Sequence, residues 1–138
     1  MKVTATLEAP CNAATMFSWV EDLARYPQWL TILTDVDPDG DGWRVELRGK
    51  LGPLARSKRL RMERTMYRPN ELVVFERRET DGRNHAAWTL HSAVTETATG
   101  SRLVMDLGYE GKQWGAVIEA LLKDEIDRAR ARLLALVS

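Results

Sequence analysis

Apolar and polar residues alternate through most of the chain, and this period of two is typical of half-buried β-strands. The first alternating segment runs from Lys2 to Glu8. Later segments are separated by turn sequences that combine Asp, Gly, Pro and Asn, at 37–42, 68–70, 81–82 and 99–100. The phase of 71–78 stays open, because Val73 and Val74 compete for the inner face. The pattern therefore predicts a sheet of antiparallel hairpins.

A helix interrupts the strands near the amino terminus. Asn12 is a favourable N-cap residue, and apolar residues recur at helical spacing from Ala13 to Leu23. This periodicity predicts one helix with a single apolar face.

A forced bend follows that helix, within the segment 20–30. Pro27 cannot continue a helix, and it pushes Tyr26 out of the helical region of backbone space. The bend sets Tyr26 and Trp29 close together, and a short helical turn is predicted for 27–33. We expect these two aromatic side chains to form part of the rim or wall of an apolar cavity.

The segment 113–137 has a different period, with apolar residues at i, i+3 and i+4. About 25 residues make a helix of roughly 37 Å. A helix this long needs a long apolar partner, and only the sheet offers one. The expected fold is therefore a single α+β domain, residues 1–138, with helices on one face of an antiparallel sheet.

The overall charge excludes some function classes. The chain has 20 basic and 20 acidic residues, whereas dedicated nucleic-acid binders usually show a basic excess. The basic side chains between 44 and 78 interleave with acids, which is typical of a solvated sheet face; an RNA-binding stripe is the alternative. The short basic segment Arg56–Arg59 could instead guard a cavity mouth and attract acidic guests. We expect no nucleic-acid partner.

Cysteine and histidine usage predicts neither a disulfide nor a metal site. Cys11 is the only cysteine, which favours a reducing compartment, and no secretory leader is recognised. No apolar run approaches the roughly 20 residues of a membrane span. His85 and His91 are expected on the solvent face. We expect a cytoplasmic protein without a cofactor.

Large residues on the predicted inner faces are candidates for a binding site. They either line a cavity or simply fill the core, and both interpretations stay open. The candidates are Trp43, Met62, Trp88, Met105 and Tyr109 on the strands, with Trp114, Val117 and Leu121 on the closing helix.

Arg64 is an unusual candidate. It lies an even number of positions from Leu60 and Met62, so alternation places this charged residue on the same inner face. An unpaired buried charge costs several kcal/mol. Arg64 would therefore bind an anionic group of a guest inside the cavity. Alternatively, the strand ends there or a bulge turns the side chain to solvent.

Four features together resemble a known family. They are Ala9-Pro10, the sequence Val-Glu-Asp-Leu-Ala-Arg-Tyr-Pro-Gln-Trp-Leu at 20–30, the turn Thr-Gly-Ser-Arg at 99–102, and the single long closing helix. This order resembles the helix-grip fold of the START-like (SRPBCC) superfamily, in its polyketide cyclase/dehydrase and coenzyme-Q-binding branch. The resemblance implies a curved antiparallel sheet of about six or seven strands around the closing helix, with a cavity between them.

Three functions are possible, and the resemblance implies the first two. The first is binding of a lipid, quinone or polyketide-like molecule in the cavity. The second is catalysis as an aromatase/cyclase or dehydratase, in which Arg64 would stabilise an enolate and Tyr109 would transfer a proton. The third is a protein-interaction module that uses an exposed rim around Trp29 and Leu30. We expect a monomer or homodimer.

Overall fold

The computed structural model describes residues 1–51, 53–111 and 115–138. Its elements in chain order are β1 (Lys2–Ala9), α1 (Ala13–Ser18), a 3₁₀ helix (Leu23–Gln28), β2 (Leu33–Asp39), β3 (Gly42–Leu51), β4 (Leu54–Arg68), β5 (Leu72–Arg77), β6 (Ala87–Thr97), β7 (Gly100–Glu110) and α2 (Gly115–Val137).

In the described part of the chain, seven strands form one antiparallel sheet in the order β1-β7-β6-β5-β4-β3-β2. The helix α2 packs against β1 and β3, which lie toward opposite ends of the sheet, so the sheet must curve around the helix. This arrangement confirms the predicted α+β helix-grip fold. Among the described residues, no helix is both long and apolar enough to cross a bilayer.

The alternation in sequence decides which side chains face α2. Val3 on β1 lies opposite Leu107 on β7, and Leu7 lies opposite Leu103. On β5, the open question of phase is resolved, because Val73 and Phe75 both point inward and are completely buried. The inner, concave face is therefore almost entirely apolar along its centre.

The bend after α1 differs in detail from its prediction. The Asn12 carboxamide accepts a hydrogen bond of 2.9 Å from the Thr15 amide, so the predicted cap is present. However, α1 ends at Ser18, and the next helical turn spans Leu23–Gln28, not 27–33. The turn starts early because the Asp22 carboxylate caps it by accepting from the Ala24 amide at 2.9 Å.

The edge strand β2 was not predicted from the sequence. Its alternation is weak, and Pro38 lies within it. Proline cannot donate to a ladder, but an edge strand can tolerate it. The predicted turn at 37–42 is confirmed as the β2–β3 hairpin, in which Gly40 adopts a φ of 59°.

Candidate ligand-binding site

A cavity of about 140 Å³ lies between the concave face of the sheet, α2 and the segment 23–33. Inward-facing residues come from β1, β3, β4, β6 and β7, Leu33 at the start of β2 also lines the cavity, and α2 contributes one stripe. The sheet residues are Val3, Ala5, Leu7, Val45, Leu47, Leu60, Met62, Trp88, Leu90, Leu103, Met105 and Leu107. The helix residues are Leu122, Ile126, Ala129, Arg130 and Leu133.

The bend supplies two aromatic walls whose polar atoms are already bonded. The Tyr26 hydroxyl donates a hydrogen bond of 2.8 Å to the Val20 carbonyl. The Trp29 indole N–H donates to the Trp19 carbonyl at 3.3 Å. The two rings lie 4.9 Å apart and both line the cavity. Because both polar groups are bonded to backbone, the rings contribute apolar surface to the wall.

Burial raises the pKa of the Tyr26 phenol well above its ordinary value. Tyr26 is completely buried, and burial disfavours the charged phenolate. The group is therefore neutral at physiological pH. It is unsuited to act as a general base there.

The remaining polar lining is sparse. Among the described lining residues, none is an acid or a histidine, and Arg130 is the only charged residue. The Arg130 guanidinium donates to the Thr6 carbonyl at 3.2 Å and to Asp127 at 2.7 Å. Its head group is thus bonded to β1 and to its own helix. The cavity can hold an apolar guest, but it presents little with which to transfer a proton.

Trp88 provides one buried donor near the cavity. Its ring packs on Tyr109, with centroids 4.7 Å apart, and its indole N–H has no hydrogen-bond partner among the described residues. A buried, unpaired N–H costs roughly 1–3 kcal/mol.

A second, smaller space of about 30 Å³ adjoins the main cavity. The two spaces share Ile32, Leu47 and Leu122 as wall residues. The smaller space is also lined by Arg48, Gly49, Arg56, Lys58 and Leu121. A basic region between the β3–β4 hairpin and α2 therefore lies next to the apolar cavity.

A buried carboxylate ties the bend to α2 beside the cavity. Glu125 accepts hydrogen bonds from the Thr31 hydroxyl at 3.0 Å and from Arg132. The Arg132 guanidinium also donates to the Trp29 carbonyl at 3.4 Å. Although burial opposes ionisation of Glu125, the hydrogen bonds from Arg132 and Thr31 outweigh it and lower the pKa of this carboxyl.

Comparison with known proteins decides the family. A model of the family described as polyketide cyclase/dehydrase and lipid transport matches residues 1–137. The chain belongs to this family. The predicted START-like relationship is therefore confirmed. The family's description names both catalysis and transport, so membership alone does not choose between them.

Several solved structures share the fold of this family member. A START superfamily protein from Mycobacterium smegmatis is 18% identical, with a TM-score of 0.67, over 99% of this chain and 96% of that one. The AHSA1 protein from Silicibacter pomeroyi is 18% identical, with a TM-score of 0.65, over 98% and 96%. A protein from Thermus thermophilus is 15% identical, with a TM-score of 0.69, over 99% and 97%. No curated protein matches the chain.

Some of the predicted site residues of this family member do line the main cavity. They are Tyr26, Trp29, Met62, Trp88 and Met105. Trp29 is only 4% exposed, which contradicts the hypothesis of an exposed apolar rim around it.

Other predicted residues lie elsewhere. Trp43 packs edge-on against Phe75, with ring centroids 5.5 Å apart. Tyr109 pairs with Trp88 across β6 and β7 and packs against its ring, but it does not line the cavity. Leu121 lines the smaller space, whereas Val117 lines neither. Trp114 lies outside the described residues.

The prediction that Arg64 faces the cavity is wrong. Its side chain is exposed, and its guanidinium carbon lies 4.0 Å from the centre of the Tyr67 ring. The pairing of β4 with β5 is still regular at Arg64, which lies opposite Phe75, and it shifts directly afterwards, between Arg64 and Met66. The structure supports the alternative in which Arg64 reaches solvent, with the bulge lying directly after it.

The two histidines also lie outside the cavity lining. His85 is exposed, and its ring nitrogen Nε2 lies 2.8 Å from the Asp81 carboxylate. His91 is half-buried, with Nδ1 unpaired among the described residues. In the described part of the chain, no group of three or more His, Cys, Asp or Glu side chains could hold a metal ion.

The sequence reasoning missed the helix stripe that lines the cavity. Leu122, Ile126, Ala129 and Leu133 belong to the apolar periodicity of α2, which is a usable signal. The candidates chosen on this helix were nearer its amino end, at 114–121. The cavity instead lies along the middle and carboxyl half of α2, a position that only the packing of the helix on β1 and β3 determines.

Proposed function

We propose that this protein binds an apolar small molecule in the cavity between α2 and the concave face of the sheet. The observation that carries the proposal is a cavity of about 140 Å³ whose lining is almost wholly hydrocarbon. Protein interiors are normally packed with few voids larger than a water molecule. A space of this size costs stability unless something occupies it.

The cavity volume limits the guest. A single water needs roughly 10–15 Å³ of such volume, so the cavity holds about ten water-sized groups. A bicyclic aromatic or a medium-length alkyl chain fits this limit. At about 0.5 kcal/mol per non-hydrogen atom, such a guest would bind with a Kd on the order of 0.1 mM. Lipids, quinones and polyketide-like molecules all contain a part of this size.

The lining favours binding over catalysis. Cyclisation or dehydration needs positioned groups that donate and accept protons. In the described lining, the Tyr26 phenol is bonded to backbone and the Arg130 guanidinium is bonded to β1. Arg64, the residue that the catalytic hypothesis requires, is exposed. The interaction-module hypothesis requires Trp29 to be exposed, but this residue is buried.

The proposal can be tested with 2-naphthol, a neutral bicyclic probe, by isothermal titration calorimetry. Ala129 lines the cavity, whereas Ala131, two residues further along α2, is exposed. The substitutions Ala129→Leu and Ala131→Leu therefore make the same chemical change on opposite sides of the helix.

We expect wild type and Ala131→Leu to bind 2-naphthol with equal affinity. Ala129→Leu should bind about tenfold more weakly, because the added carbons occupy space that the guest needs. Equal affinity of all three proteins would place the probe outside the cavity. Absence of binding to wild type, repeated with 1-decanol, would contradict the proposal.

A further inference from the structure

We propose that the smaller basic space is a head-group subsite, which selects guests that carry a carboxylate or phosphate at the end of an apolar body. This inference rests on the proposed function, because the apolar body would occupy the main cavity. It adds that the preferred guest is an anionic amphiphile, with its charge beside Arg56 and Lys58.

The register of the β3–β4 hairpin brings these cations to the cavity's end. Val45 pairs with Leu60, and both line the main cavity. The next inward-facing pair is Leu47 with Lys58, and the one after it is Gly49 with Arg56. Because inward-facing residues recur every second position, one continuous face changes from apolar to basic within two pairs.

The two spaces are adjacent along this face and share wall residues. Leu47 lines both of them, and so do Ile32 from the bend and Leu122 from α2. A guest that extends from the main cavity past Leu47 therefore arrives at Lys58. The distance is short, because directly paired residues on neighbouring strands are about 5 Å apart.

Gly49 lets the helix close over this region. A Cβ atom at Gly49 would lie 2.6 Å from the Leu121 Cδ1 atom, so only glycine allows this approach without rearrangement. Leu121 and Leu122 thus form the helix side of the basic space, opposite the hairpin.

The local charges favour an anion over a cation. Among the described residues that line the smaller space, three are basic and none is acidic. Arg48 alternates to the outer face, where Glu46 lies 3.9 Å away and is itself bonded to Arg59 at 2.8 Å. Arg56 and Lys58 lie on the inner face by register, and the Arg56 guanidinium also donates to the Ala55 carbonyl at 3.3 Å.

The environment of Lys58 agrees with this assignment. Burial and the positive charge of Arg77 lower the pKa of the Lys58 ammonium, and the nearby Glu79 offsets only part of this effect. The lowered pKa shows that the charged form of Lys58 is destabilised in the free protein. A guest carboxylate would relieve that destabilisation directly.

The test compares three ten-carbon amphiphiles with different head groups: decanoate, decyl phosphate and 1-decanol. We expect wild type to bind both anions about tenfold more tightly than the alcohol at low salt, because charge-assisted hydrogen bonds are the stronger ones. The preference should shrink as salt is added. Comparison of decanoate with decyl phosphate distinguishes a carboxylate guest from a phosphate guest.

The variant is the double substitution Arg56→Gln/Lys58→Gln. It should lose the preference for anions while 1-decanol binds as before, which also shows that the variant is folded. The matched control is Lys50→Gln, which removes one charge from the outer face of the same hairpin and should leave the preference unchanged.

Equal affinity of wild type for decanoate and 1-decanol would overturn the subsite but leave the proposed function standing. If Lys50→Gln lost the preference for anions to the same extent, the subsite would also be overturned. The preference would then arise from the overall charge of the protein and not from Arg56 and Lys58. Failure of all three ligands to bind would overturn the proposed function and the subsite together.

Discussion

The Thr31 hydroxyl donates a hydrogen bond of 3.0 Å to the Glu125 carboxylate, and this contact joins the bend to the middle of α2. The two residues are 94 positions apart in sequence. Glu125 is 5% exposed, and Arg132 is its principal charged partner. A polar cluster of Thr31, Glu125 and Arg132 therefore joins the segment that carries Trp29 to α2, at the edge of the apolar cavity.

Loss of this carboxylate should destabilise the fold. In Glu125→Ala, Thr31 and Arg132 lose their acceptor, and we expect the free energy of unfolding to fall by about 2–3 kcal/mol. The matched control is Asp124→Ala. This substitution removes an exposed carboxylate at the neighbouring position, together with its ion pair to Arg128. It should cost about 0.5 kcal/mol or less. Urea unfolding measures both, and equal losses would contradict a special role for Glu125.

The ionisation of Glu125 should make the free energy of unfolding depend on pH in the acidic range. Because folding lowers the pKa of Glu125, ionised Glu125 stabilises the folded state above the carboxyl's unfolded pKa of about 4.3. This contribution is lost as the pH falls through the folded pKa. The difference in unfolding free energy between wild type and Glu125→Gln should therefore stay constant from about pH 7 to 5.5 and shrink below about 4.3. A difference that grows on acidification would contradict the assigned direction.

Because Gly49 contacts Leu121, we expect substitutions at these two positions to have non-additive effects on stability. Gly49→Val places carbon where Leu121 already lies, and overpacking of this kind costs about 1–3 kcal/mol. In a Leu121→Ala background the same substitution has room, so it should cost at least about 1 kcal/mol less. Thermal unfolding of the four proteins gives the coupling energy. Additive losses would show that the helix does not approach the hairpin as closely as described.

The Tyr26 hydroxyl should stabilise the fold without contacting the guest. Tyr26→Phe removes its bond to the Val20 carbonyl, and we expect a loss of about 1–2 kcal/mol in the free energy of unfolding. The Kd for 2-naphthol should change little, because the ring remains in the wall. A large loss of binding with unchanged stability would show instead that the hydroxyl contacts the guest.

The sequence predicted the elements whose periodicity is strong. Alternation placed Val3, Leu7, Met62, Trp88 and Met105 correctly on the inner face, because a period of two is preserved wherever the ladder is regular. The long apolar stripe of α2 predicted its partner, since the described chain offers no other apolar surface of that length.

The failures occur where regular periodicity ends. Arg64 lies directly before a shift in the β4–β5 pairing and its side chain reaches solvent, and the alternation along one strand gives no sign of either. At the bend, Asp22 and Pro27 jointly set a 3₁₀ turn whose limits depend on cap geometry. The family resemblance implied a cavity, but periodicity could not give its position along α2, because the cavity is the volume that packed residues leave between α2 and the sheet.

The most direct test of the central claim is a set of intermolecular NOEs between 2-naphthol and methyl groups of the protein. Ile126 and Leu103 line the cavity, whereas Leu134 and Leu136 are exposed on the same helix as Ile126. We predict NOEs from the ligand's ring protons to Ile126 and Leu103, and none to Leu134 or Leu136. NOEs confined to Leu134 and Leu136 would place the ligand on the outer surface of α2 and contradict the claim.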